Sequence, residues 1–178
     1  MFDFDILGRK LSDMDGTSLV VGVQSGSGEN FHGDMITADK KTLKIARAHE
    51  YGVNIKVTPK MRNALHYIGI HLKKSTTHIH IPERSYIRRA FEEGQIDFNK
   101  AMNENINLFF EGNNTAEELL SKLGKQAVTD VVGNVGVDTT PISDVAKEQR
   151  KKSKSSTPLI DTGHLQNHIT FRIIKGGM

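Results

Sequence analysis

The chain has 178 residues, 37% hydrophobic and 25% charged, with a formal net charge of +3. That length suits one domain, residues 1–178, with a core lean enough to look to neighbouring subunits for part of its burial. The sequence holds no cysteine, which excludes a disulfide scaffold and any cysteine-based zinc site or nucleophile.

Met1-Phe2-Asp3-Phe4-Asp5 lacks the basic and apolar regions of a signal peptide, and no run approaches the ~18 apolar residues of a membrane span. A cytosol-like compartment is expected. Residues 1–16 predict a short helix through Ile6, Leu7, Lys10 and Leu11, ended near Asp15-Gly16. Leu19, Val21 and Val23 alternate, so Ser18 to Gln24 predicts a strand. The following Gly22, Gly26 and Gly28 read as a turn or loop, because no Gly-Lys-Ser/Thr completes a phosphate-binding loop. Thr42 to Tyr51 predicts a helix stopped by Gly52, and Ile55 and Val57 a strand tip. Pro59 opens a helix whose apolar face is Met61, Leu65, Ile68 and Leu72.

The stretch Ile79-His80-Ile81-Pro82-Glu83-Arg84-Ser85-Tyr86-Ile87-Arg88-Arg89 organises the rest. Ile79 and Ile81 alternate as a half-buried strand. Pro82 suits the first turn of a long helix, with Glu83 at the positive end of its dipole. That helix is expected to run through Phe98, Met102, Ile106 and Phe109, bent at Gly94. After a turn at Gly112-Asn113-Asn114, Thr115 and Glu118 spell a capping box, and Leu120, Leu123, Ala127, Val131 and Val135 form a core stripe. Two long helices joined this way make an antiparallel hairpin.

Residues 147–154 hold five cations against Glu148, a net +4, so the remainder of the chain carries −1. The basic segment, 147–157, reads as a flexible solvated stretch or as an arm for nucleic acid or an acidic protein surface; no aromatic residue interleaves its lysines to stack on bases. Pro158-Leu159-Ile160 approaches in extended form. Asp161 caps a short turn over Thr162, Gly163 and His164, with Leu165 inward. Ile169, Phe171 and Ile173 alternate as a closing strand, paired with the first strand or the organising one. The fold class is therefore α+β: a small antiparallel sheet packed against two long antiparallel helices, with extended loops.

Three groups of residues invite a chemical reading. Asp161-Thr162-Gly163 has the form of the aspartic-protease triplet, but a retroviral-type protease builds most of its β-fold after that point and fifteen residues follow here, so Asp161 reads as a helix cap. His78 and His80 share one strand face, with His49, His66 and His71 elsewhere, and local spacing fixes no third metal ligand. Glu50 and Arg84 are expected to pair and lock the short helix to the long one. This reading assigns no catalytic, cofactor-binding or metal-ligating residue, and expects no enzyme activity and no cofactor.

Three phrases carry a resemblance: His49-Glu50-Tyr51-Gly52, then Ile81-Pro82-Glu83-Arg84-Ser85-Tyr86-Ile87-Arg88, then Pro158-Leu159-Ile160-Asp161-Thr162-Gly163-His164-Leu165-Gln166-Asn167-His168-Ile169. In order, spacing and position the chain resembles the tail-completion, or neck, proteins of long-tailed bacteriophages, related to the phage virion-morphogenesis proteins, over roughly residues 18–174. It departs from them in Tyr51 and Tyr86 where Phe is usual, in His168 where Ser is common, in a longer 53–78 excursion and in a reduced N-terminal helix.

The resemblance implies a structural virion protein: a homo-oligomeric ring, usually six-fold, at the head–tail junction. Such a ring is assembled in the bacterial host cytoplasm and joins head connector or adaptor proteins to tail tube or tail terminator proteins, with genomic DNA passing through its lumen. The Gly22–Asn30 turn, the 53–78 excursion and the 147–157 segment would be its docking loops. The rival reading is a stand-alone nucleic-acid-binding module using residues 147–154.

Overall fold

A computed structural model describes residues 4–24, 38–93, 95–112, 114–137, 141–150, 157, 159–160 and 163–175. The first helix, α1 (Phe4–Met14), ends before Gly16, whose φ of 67° lets the chain turn into β1 (Ser18–Val23). β1 pairs antiparallel with the closing strand β4 (Ile169–Ile174), with Leu19 opposite Ile173, Val21 opposite Phe171 and Val23 opposite Ile169. Ile169, Phe171 and Ile173 are all buried, so the period-2 pattern read in the sequence is the core face of this ladder. The organising strand β3 (His78–Ile81) pairs instead with β2 (Val53–Lys56). The described strands thus form two separate two-stranded antiparallel ladders within an α+β fold.

The spine is α6 (Ala116–Asn134). Thr115 caps it through the Glu118 amide, and the Glu118 carboxylate accepts from the Thr115 amide in return, which completes the predicted capping box. One face of α6 lies on β1 and β4. It also packs against α4 (Tyr86–Glu93) and α5 (Gln95–Phe110). The approach to β4 is close at Gly124, where a Cβ would overlap the Phe171 ring. Leu120, Leu123, Ala127, Val131 and Val135 are buried as the stripe required. One cluster gathers Tyr86, Ala90, Val131, Leu165 and Ile169, a second Phe109, Leu119, Leu123, Phe171 and Ile173; Val21 and Val128 belong to both. Lys10 of α1 donates to the carbonyls of Phe109 and Asn114, neutralising the C-terminal end of α5. No described helix is long and apolar enough to cross a membrane.

Three expectations are corrected. The helix after the organising strand begins at Tyr86, not Pro82, so Pro82 and Glu83 lie in an irregular connection. Its cap comes from elsewhere in the chain, as described below. The helix opened by Pro59, α3 (Pro59–Tyr67), stops before Ile68 and Leu72; Gly69 (φ 87°) turns the chain, and Ile68 is exposed rather than part of an apolar face. The helix expected through Phe109 with a bend at Gly94 is described as α4 and α5 on either side of that residue, which lies outside the described residues. Leu159 has φ 62°, a turn conformation, where an extended approach was expected. The cap assigned to Asp161 and the turn at Gly26 and Gly28 also fall outside the described residues.

Candidate functional site

Helix α2 (Lys40–Tyr51) brings the first phrase of the resemblance to the second. Asp39 caps α2 by accepting the Thr42 amide at 2.7 Å, and this bond holds the Asp39 carboxyl below the usual carboxylate range. At the other end Gly52, at φ 65°, lies so close to the second phrase that a Cβ would stand 2.9 Å from the Glu83 nitrogen. The Arg84 amide donates to the His49 carbonyl at 2.7 Å.

Glu50 is the centre of this junction. Its side chain is buried, and its carboxylate accepts the amides of Ile87 at 3.0 Å and Arg88 at 3.1 Å. These are free N–H groups of the first turn of α4, so a carboxylate on one helix caps the next. The Arg88 guanidinium, half exposed, reaches Glu50 at 3.4 Å and also bonds Glu83. Glu83 first, then Glu50, raises the Arg88 pKa, against a smaller opposing effect of burial. Arg84 was the partner expected for Glu50; among the contacts described, Glu50 reaches the α4 backbone and Arg88. Arg84 is itself buried in the same region.

The third phrase closes on the same place. Thr42 Oγ1 lies 2.9 Å from His164 Nε2, and the Leu165 side chain enters the cluster containing Tyr86. His168 donates from Nδ1 to the His164 carbonyl at 2.6 Å, and the two rings lie 4.3 Å apart. Ser143 caps α7 (Asp144–Gln149), the short helix that brings the start of the basic segment here. Lys147 is exposed on it. Arg150 turns inward and donates to the carbonyls of Thr157 and Ile160 at 2.7 and 2.9 Å. At least that cation of the basic segment is committed to the fold; Lys151, Lys152 and Lys154 lie outside the described residues.

Between these elements lies a cleft of about 730 Å³. Its apolar walls include Ile45, Ile79, Ile142 and Leu165, and its polar groups include Thr42, His49, Arg84, Arg150 and His164. Burial, then Arg84 and Arg150, pushes the His49 ring below its ordinary pKa of 6.5, and its Nδ1 has no partner among the described residues. Tyr86 is fully buried, with its hydroxyl unpartnered among them; burial and then Glu50 raise its pKa. The arrangement favours neutral imidazole at His49.

No protein-family model, curated protein or solved structure matches this chain.

The remaining described histidines stand apart from the cleft or at its rim. His78 and His80 project from the exposed side of β3 and bond to Thr77 at 3.1 Å and Asn54 at 2.8 Å. Among the described residues no group of three or more His, Cys, Asp or Glu side chains is arranged to hold a metal. Sequence reasoning missed Arg88 as an ionic partner of Glu50 and Arg150 as a brace. The signal for Arg88 was present: it sits three residues into a helix whose first turn carries no acidic residue of its own. The signal for Arg150 was hidden in a run of cations.

Proposed function

We propose that the chain is a structural subunit of a tailed-bacteriophage particle. It forms a homo-oligomeric ring at the head–tail junction, as a neck, tail-completion or tail-terminator protein, through which DNA passes. The observation that carries this reading is that the three phrases of the resemblance, far apart in sequence, are fastened to each other at one junction. Glu50 caps α4, Gly52 abuts Glu83, and Thr42 meets His164. Residues shared with a family of ring-forming proteins would be those that keep the subunit in a fixed shape for its neighbours.

A closed ring needs two different surfaces that meet head to tail. The end of α3 presents Tyr67 and Ile68 to solvent, 87% and 57% exposed, within the 53–78 excursion expected to dock. Such apolar groups at a loop tip suit contact with a neighbouring subunit or with connector and tail proteins. DNA contact in the lumen is transient and weak.

Electron microscopy of the purified protein at low and high concentration tests the reading. Closed rings with a DNA-sized hole, or rings that close on adding the head connector, are the expected result. Monomers under all these conditions, together with DNA binding that weakens steeply with salt, would overturn it in favour of a stand-alone nucleic-acid-binding module.

A further inference from the structure

Two of the five histidines noted in the sequence come together where no helix or strand periodicity brings them. His66 sits in the last turn of α3, and His71 lies just beyond the Gly69 turn. Their Nδ1 atoms are 2.8 Å apart, with ring centroids at 4.6 Å and planes inclined by 67°. Both side chains are exposed. In this contact one ring must supply the N–H and the other its lone pair.

The loop that carries His71 is braced. The Ile70 amide donates to the Leu65 carbonyl at 2.9 Å and the Gly69 amide to the His66 carbonyl at 3.0 Å. Arg62 spans the loop from α3, donating to the carbonyls of Leu72, Lys73 and Thr76 at 3.1, 2.8 and 2.7 Å. Its charge is thereby turned onto backbone oxygens, and the two rings are held as a pair before any ligand arrives. Preorganisation of this kind lowers the ordering cost of binding.

We propose that His66 and His71 form a two-nitrogen chelate for a borderline divalent transition-metal ion, of the Ni(II), Cu(II) or Zn(II) class. Imidazole is a preferred ligand of these ions. Metal–nitrogen bonds of ~2.0–2.1 Å put two adjacent ligands about 2.9 Å apart at a right angle and about 3.4 Å apart at the tetrahedral angle. The observed 2.8 Å matches the right-angled, tetragonal case and is a few tenths of an ångström short of the tetrahedral one. Binding shifts the donor ring's proton from Nδ1 to Nε2 by exchange with solvent, with no net proton released, and each Nδ1 then gives its lone pair to the ion. The remaining coordination positions stay open to water. The site stands whether or not the chain forms a ring.

The test uses the full, untagged chain titrated with NiCl2 by calorimetry. The expected result is one ion per chain. His71→Ala and His66→Gln each weaken it by at least about tenfold, because a chelate gives way to a single imidazole. His78→Ala leaves it unchanged, and circular dichroism checks that each variant is folded. Independently of any variant, added Cu(II) should broaden the ring signals of His66 and His71 in the NMR spectrum before those of the other histidines. No saturable binding, binding that survives both substitutions, or broadening that begins at other histidines would each overturn the proposal and leave a plain hydrogen bond between two rings.

Discussion

Removing the Glu50 carboxylate would strand two part-buried amides at the start of α4 and leave Arg88 without one of its two anions. Glu50→Ala should therefore destabilise the chain by about 3 kcal/mol in urea unfolding, and Glu50→Gln by roughly half as much, since an amide oxygen still accepts. A double-mutant cycle with Arg88→Ala should return a coupling of less than about 1 kcal/mol, because the arginine is half exposed and water screens it. The cap, not the ion pair, carries most of the effect. His49 gives a pH dependence of known sign. Its folded pKa lies below the ordinary 6.5, so the unfolded chain binds the extra proton as pH falls below that value. Its contribution is fully present above pH 6.5 and is lost on acidification towards the folded pKa. Urea midpoints at about pH 5 and about pH 7.5 should differ less in His49→Gln than in the natural chain.

Elements whose ends are written locally were legible. Thr115 with Glu118, Gly52 after Tyr51 and Gly16 after Met14 mark boundaries that depend on neighbouring residues alone. The start of α4 was not legible, because its cap lies 37 residues away on α2 and the sequence offered Pro82 in its place. The split into two ladders was hidden for a similar reason: strand pairing is a long-range choice that alternation does not encode. Arg88, Arg150 and the His66–His71 pair were missed because each acts across a turn or between elements. Gly124 illustrates the same limit. Within a helix it reads as a weak residue, yet its missing side chain makes room for Phe171. Thr115→Ala should cost about 1 kcal/mol through loss of the cap. Gly124→Ala should cost about 2 kcal/mol despite alanine's better helix propensity, because β4 must move away from α6. Thermal unfolding of the two variants would rank them.

At the scale of the whole molecule, the fixed parts and the exposed parts separate. The junction of α2, α4 and the closing segment is buried and heavily hydrogen bonded, while the tip of α3 offers Tyr67 and Ile68 to solvent. Replacing both by serine should change monomer stability by no more than about 0.5 kcal/mol per site, as for exposed surface positions. It should nevertheless lower self-association, read by sedimentation across a range of protein concentrations. Unchanged association would remove this tip from the subunit interface.

The cap supplied by Glu50 also gives α4 a reporter of its surroundings. The amide hydrogens of Ile87 and Arg88 are covered by a side chain on α2, whereas the Arg89 amide is bonded to the Ser85 carbonyl within the same turn. In hydrogen–deuterium exchange, the first two should follow the undocking of α2 and the third the fraying of α4 itself. A ligand or neighbouring subunit that clamps α2 would slow exchange at residues 87 and 88 without contacting either, and so reveal at two amides what happens on another helix.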